Sequence, residues 1–354
     1  MPLATTFASS RGAPIYSYVR FDPEATEFMR TARRIASRFA QMVFVLWAVA
    51  TILFLVFRLM PGNPLVAYID PTFTEEQQQE LLQRFGLDRP LHEQYVIYLG
   101  NLLRGDLGDS FFYRDSVTSL LWDVFPNTLA LTMVALIIAY VIGVLLGALL
   151  AWLRTSRFEG IAIPLVLLSR AAPEFWLGMI LLAIFSFQLG WFPAGGAFTA
   201  GSEAAVGPGR FFSLDFLRHL FLPALTLAIY LHGLPLLLMR SNMLETLKED
   251  FVTMARMKGL STWSVLVRHA ARNALLPVLT AFALGIGYSI GGNVVVETVF
   301  SWPGIGRLLV RAVSASDYPL AQGAFLMIAA VMVFMNFVAD LLYNVLDPRV
   351  NQDA

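Results

Sequence analysis

The chain has 354 residues, 57% of them apolar and 14% charged, with a mean hydropathy of +0.64. That excludes an ordinary soluble enzyme and fits a polytopic membrane protein. The formal net charge is zero, so there is no basic surface for nucleic acid, and with no cysteine there is neither a disulfide framework nor a thiolate metal site.

Residues 1–38 are polar and form an N-terminal cytoplasmic extension, with Arg30, Arg33, Arg34 and Arg38 just before the first apolar run. This head is too long for a cleavable signal peptide and reads as the basic tail of an uncleaved signal-anchor. Its own structure, disordered or lying on the membrane surface, is left open by the sequence. A first span is predicted over 39–60, where Arg58 can snorkel to the interface. Pro61-Gly62-Asn63-Pro64 stops it. Residues 61–126 form a hydrophilic extracytoplasmic insert. In it Thr74 and Gln77 make a capping box, Gly86 closes that helix, and Leu91 to Leu103 reads as a second amphipathic helix. Asp106, Asp109, Asp115 and Asp123 make its later part acidic.

The core is placed at 127–345. Its first span, 127–153, is uncharged and long enough to tilt or protrude from a hydrocarbon core of about 30 Å. Arg154 and Arg157 follow in a tight loop. The next span, 161–187, is interrupted by Pro164 and Pro173 and contains Arg170 and Glu174. Spaced four apart, these two share one helix face. A lone charge at bilayer depth costs about 2.5–3.5 kcal/mol, which pairing offsets in part. They are read either as a structural pair beside a broken helix or as charges lining a route. A glycine-rich loop covers 188–218. Three further spans are predicted over 219–238, 274–296 and 318–339. Gly285, Gly287, Gly291 and Gly292 let helices approach closely in the second of these. Residues 346–354 are a tail.

Six spans put both termini on one side. With the N-terminus inside, fourteen of the 25 cations fall on that side and eight on the other, with Arg58, Arg170 and Arg240 in or at the ends of spans. The bias favours cytoplasmic termini.

The polar segment between the fourth and fifth spans, 242–273, is the most informative stretch. It holds the chain's only lysines, Lys248 and Lys258. After Glu249 and Asp250, the residues Phe251, Met254 and Ala255 recur at i, i+3, i+4 as one apolar stripe. Gly259 ends that helix as a C-cap glycine does, and Ser261 is an N-cap for a second helix. There Trp263, Leu266 and Val267 share a face, and Arg268 and Arg272 form a basic pair. The product is a helix–Gly–helix knuckle with an apolar ridge and a basic rim (Arg256, Lys258, Arg268), suited to a groove on a partner protein. A second patch follows the fifth span. Glu297, Trp302, Pro303, Gly304 and Gly306 make a tight turn at an interface, and Asp317 opens the sixth span. These residues, with Arg170 and Glu174, are candidates for a translocation path or an external gate.

Two kinds of chemistry have no motif here. There is no Gly-x-x-x-x-Gly-Lys-Ser/Thr loop to cradle nucleotide phosphates, and His92, His219, His232 and His269 have no metal-ligand spacing.

The run Ala255-Arg256-Met257-Lys258-Gly259-Leu260, then Arg268-His269-Ala270, then Asn273-Ala274-Leu275-Leu276-Pro277, resembles the coupling segment of ABC importer permeases of the dipeptide/oligopeptide/nickel group. Thr253-Met254-Ala255 occupies the superfamily's Glu-Ala-Ala place, and Thr for Glu favours the peptide branch. Glu297-Thr298-Val299-Phe300-Ser301-Trp302-Pro303-Gly304, Asp317-Tyr318-Pro319 and Gln322-Gly323 are similar to the same group. The resemblance spans roughly residues 35–350. It implies an all-α polytopic fold of the type I importer class, one N-terminal helix plus a five-helix core. It implies a permease in a bacterial inner membrane, without enzymatic activity or cofactor of its own. ATP and Mg would be bound by two partner ATPase subunits, received at Glu249, Asp250, Phe251, Met254, Ala255, Arg256, Lys258, Gly259, Arg268, His269 and Arg272. A second, homologous permease subunit and an extracytoplasmic substrate-binding protein complete the implied assembly. The implied cargo is a di- or oligopeptide, with nickel, glutathione or oligosaccharide handled by relatives. An ion-gradient secondary transporter would carry midplane carboxylates in paired halves, and an intramembrane enzyme a convergent catalytic set; neither pattern is visible.

Overall fold

The structure, a computed structural model, describes residues 6–7, 15–16, 23–59, 74, 76, 88–202, 208–290 and 293–346. The chain divides into a unit of residues 1–44 and a unit of residues 45–354. In the first, two short strands, β1 (Thr6–Phe7) and β2 (Ile15–Tyr16), pair antiparallel. Everything else described is helical or loop. Gln77 of the predicted Thr74–Gln77 capping box, the Gly86 stop and the tail at 347–354 lie outside the described residues.

Helix α1 (Pro23–Leu59) begins well before the predicted first span and ends where expected. α2 (Leu91–Leu103) has the predicted bounds. It packs on the end of α1: the Thr51 and Tyr95 hydroxyls are 2.7 Å apart, and Phe54 stacks on Tyr98 with ring centroids at 5.5 Å. α3 (Val117–Trp152) starts ten residues before the predicted second span, so the end of the insert is already helix. Ser116 causes this early start: its side chain accepts the Ser119 amide hydrogen as an N-cap at 3.1 Å.

α3 is the axis of the second unit, touching α6, α7, α10, α12 and α13, whose bounds follow. Its contact with α7 is backbone-close. A Cβ on Gly143 would lie 2.8 Å from the His232 carbonyl oxygen, and one on Gly147 2.5 Å from that of Leu236. This is a small-xxx-small seam.

The predicted third span is two helices, α4 (Arg157–Ala171) and α5 (Glu174–Leu181), the latter prolonged by a π-helical turn, Leu182–Gln188. They are bent by 103° at Ala172-Pro173. Proline lacks an amide hydrogen and restricts the residue before it, so the break falls there; Pro164, by contrast, sits inside α4 without ending it. The predicted fourth span is also two helices, α6 (Leu214–Leu231) and α7 (Gly233–Thr246), meeting at His232 and running beyond the expected end at 238. The glycine-rich loop is pinned to the start of α6 by Thr199, whose amide and hydroxyl both donate to the Asp215 carboxylate at 2.9 and 2.7 Å.

α8 (Asp250–Met257), α9 (Thr262–Ser264), a π-helical turn (Val265–Ala271) and α10 (Arg272–Ile290) follow. Then come α11 (Val294–Val299), α12 (Ile305–Ser314) and α13 (Tyr318–Leu346). By length and composition five helices can cross a membrane, and six spans result when the bent α4–α5 pair counts as one. The architecture is an all-α, multi-pass membrane fold.

Candidate functional site

The knuckle has its own core. Val252, Ala255 and Val265 are buried together with Leu247 packed against them. The sequence pattern had grouped Ala255 with Phe251 and Met254. Here Ala255 joins Val252 on the inward face, while Phe251 and Met254 look outward. The reason is that α8 is only two turns long and buries the residues that meet Leu247 and Val265. The second predicted stripe divides too: Leu266 is buried, whereas Trp263 and Val267 are exposed. The π turn adds a residue per turn and so displaces the ordinary helical period.

The bend is a complete Schellman motif. The Gly259 amide donates to the Arg256 carbonyl at 2.9 Å and the Leu260 amide to the Ala255 carbonyl at 3.4 Å. Gly259 has φ +73, where a side chain is strained. Ser261 then caps α9 by accepting the Ser264 amide hydrogen at 3.3 Å. The outcome is an apolar crest of Phe251, Met254, Met257, Leu260 and Trp263, with Met257 81% and Trp263 66% exposed. Lys248, Arg256, Lys258, Arg268 and Arg272 are exposed around it, with Glu249 and Asp250 at the start of α8 and His269 half-buried. The knuckle sits on the end of α3, where Trp152 and Trp263 have ring centroids 6.2 Å apart. Leu266, Ala270 and Ala274 bury against Met239 and Met243 of α7 and Ala151 of α3.

The opposite end holds the second patch, and there the predicted residues are drawn together into a closed corner. Glu297, Trp302 and Asp317 are each 0% exposed. The Glu297 carboxylate accepts the Thr128 hydroxyl at 2.7 Å and the Arg307 amide at 3.0 Å; Thr128 Oγ1 accepts the Ile305 amide at 2.9 Å. Two orphan donors at the start of α12 are thus capped by other elements. Burial pushes the Glu297 carboxyl up to about 7, while the bonds from Thr128, Arg307 and Gly306 pull it down. A Cβ on Gly304 would lie 2.2 Å from Glu297 Oε1, and one on Gly306 2.6 Å from the Val294 Cα. Both glycines are therefore the space the carboxylate and α11 occupy.

Trp302 donates its indole N–H to the Asn127 carbonyl at 3.1 Å and packs on Phe216; the Asn127 amide donates to the Pro303 carbonyl at 2.8 Å. Asp317 accepts the Ser110 hydroxyl at 2.5 Å, the Phe112 amide at 3.1 Å and the Leu320 amide at 3.3 Å. It caps α13 and ties it to the end of the insert. None of these groups presents surface to a path in this conformation. Asn127 and Thr128 escaped the sequence reading. The signal was the spacing of Thr128 and Thr132, which places two hydroxyls on one face of an apolar run.

Arg170 and Glu174 are not on one helix face, because the 103° bend lies between them. They form no ion pair among the described residues. The Arg170 side chain lies instead along Gly233, whose Cβ would fall 2.4 Å from Arg170 Cδ. The strong ion pair of this region joins Glu159 of α4 to Arg240 of α7, with Arg240 Nε donating at 2.9 Å. Glu159 also accepts the Thr155 amide at 2.5 Å. This pair joins residues 81 positions apart, beyond any local pattern. Among the described residues no three His, Asp or Glu side chains gather as a metal site.

Comparison with known proteins places the chain in a family. Residues 143–352 match the family model of the binding-protein-dependent transport system inner membrane component, and residues 31–132 that of the N-terminal membrane component of such systems. The chain is 39% identical over 330 residues to a di/tripeptide transport system permease protein, DppB, of Pseudomonas aeruginosa, covering 89% of this chain and 98% of that one. It is 40% identical over 309 residues to a putative peptide permease of Brucella suis (86% and 95% covered) and 36% over 322 to the oligopeptide transport system permease AppB of Bacillus subtilis (90% and 99%). With six helical spans, a Gly-bent knuckle and this likeness along nearly its whole length, the chain belongs to the inner-membrane permeases of binding-protein-dependent ABC transport systems.

Proposed function

We propose that this permease forms half of the pathway of an ATP-driven importer of di- or oligopeptides, and that the knuckle receives the ATPase's work. The observation that carries the reading is the division of labour within the knuckle. Val252, Ala255 and Val265 make it a rigid body, while Phe251, Met254, Met257, Leu260 and Trp263 stay exposed outside it. An exposed apolar crest rimmed by cations suits a protein groove of apolar floor and acidic edge. Two ATPase subunits dock in this reading, one on this knuckle and one on that of a second, homologous permease. A substrate-binding protein docks at the insert end, and both termini are cytoplasmic. ATP and Mg stay on the ATPases.

Closure of the ATPases pulls the knuckle as a lever. Its packing on α3 and α7 passes the displacement to the spans, which switch between two arrangements biased by the partner's differential contacts. Arg170 and Glu174, flanking the Pro173 break, are the charges placed to meet peptide termini. The peptide cargo rests on what the relatives transport. Uptake of labelled dipeptide in cells whose only copy carries Met254→Asp and Trp263→Ala tests the reading. Uptake should fall to background with the permease still in the membrane, and wild-type uptake would overturn it. Nickel uptake without dipeptide uptake in cells carrying the wild-type permease would replace the cargo and keep the machine.

A further inference from the structure

A cavity of about 180 Å³ lies at the end of the second unit opposite the knuckle. It is lined by the end of α1, α2, the loop at 106–111 and the start of α13 and is open on one side. Among its largely apolar walls stand several polar groups. Arg58 lines it and makes no ion pair or hydrogen bond among the described residues; its guanidinium carbon lies over the Phe54 ring, 5.8 Å from the centroid. The Tyr98 hydroxyl faces Gln322, yet neither it nor the Gln322 amide nitrogen makes a hydrogen bond of ordinary geometry, and both atoms are buried. Asn101 adds a carboxamide. At the exposed side stand Asp106 and Asp109.

Buried donors left without acceptors are costly and call for a partner. A guanidinium, a phenol and an amide nitrogen converging on one space match an oxyanion. Two carboxylates beside it match an ammonium. The shared chemistry is a compact zwitterion. Its source follows from α1. At the end of that helix Leu55, Val56 and Leu59, beside Arg58, are exposed. The cavity thus lies beside an exposed apolar flank at the end of a span, a surface suited to lipid.

We propose that it holds the headgroup of a zwitterionic aminophospholipid, phosphate on Arg58 and Tyr98, ammonium towards Asp106 and Asp109, on the membrane face opposite the knuckle. The site fixes the insert against the first span, and it does not depend on which cargo the protein carries.

Native mass spectrometry of the delipidated full chain, with whatever subunits copurify, tests this against added phosphatidylethanolamine and phosphatidylglycerol. The wild type should retain the first in preference. Arg58→Gln should lower retention of both about tenfold, the loss expected for one charge-assisted hydrogen bond. Asp106→Asn with Asp109→Asn should abolish the preference alone. Tyr98→Phe, which keeps the volume and spares the fold, should give a smaller loss. Equal retention by wild type, Arg58→Gln and Tyr98→Phe would overturn the site. Displacement of the lipid by an equal concentration of soluble phosphoethanolamine would overturn the lipid source and assign a soluble zwitterion.

Discussion

The two ends of the second unit use similar residues to opposite ends. Both use glycine, aromatic and charged side chains. At the corner built on Glu297 and Trp302, every such group is turned inward and matched to a partner from another element. At the knuckle, a small buried core holds a larger apolar crest in the open. The corner spends its residues on fixing α3, α11 and α12 to each other, whereas the knuckle spends them on presenting a surface. A motif's density therefore does not say whether it binds a partner. The direction of its side chains says which of them are left exposed.

Four changes separate these roles, in falling order of their effect on folding. Gly304→Ala places a Cβ where the Glu297 carboxylate lies. It should cost about 3 kcal/mol by overpacking and by displacing a buried carboxylate, seen as loss of folded protein in thermal unfolding and membrane yield. A normal yield would mean the corner is looser than its geometry. Next is the pH response of Glu297, whose folded pKa is raised from 4.5 to about 7. Its contribution is complete below 4.5 and is lost as pH rises through about 7. The melting temperature should fall across that interval, and Glu297→Gln should flatten the fall.

Gly259→Val forces a branched side chain to φ +73 in open space. The strain is about 1–2 kcal/mol, so the protein should accumulate in the membrane while dipeptide uptake is abolished. Retained uptake would remove the bend from the mechanism. Smallest on folding are Met254→Asp and Trp263→Ala, within about 0.5 kcal/mol because the crest packs on little of its own chain. Their effect should appear in uptake and in ATPase copurification alone, and a large fall in melting temperature would make the crest part of the core.

Local pattern carried much of this. The bounds of α2, the Gly259 bend and the Ser261 cap were legible because each depends on residues within one or two turns. The bend in the third span was legible only as Pro173, an interruption without an angle. The pairing of Arg170 with Glu174 followed from a helical spacing that the bend cancels. The actual pair, Glu159 with Arg240, has no local signature. The knuckle stripes were misgrouped for a related reason: α8 is short and the next helix opens with a π turn, so neighbours rather than period decide which face is buried.

Hydropathy, the Gly–Ser knuckle and the family-like runs sufficed to determine that this chain is a six-span permease, since the backbone of a membrane span is satisfied within its own segment. Tertiary structure alone decided that Glu297, Trp302 and Asp317 are internal ties, that Phe251 and Met254 are outward, and that Arg58 faces a cavity. Those outcomes depend on which distant backbone supplies or withholds a hydrogen-bond partner, a quantity that no stretch of sequence contains.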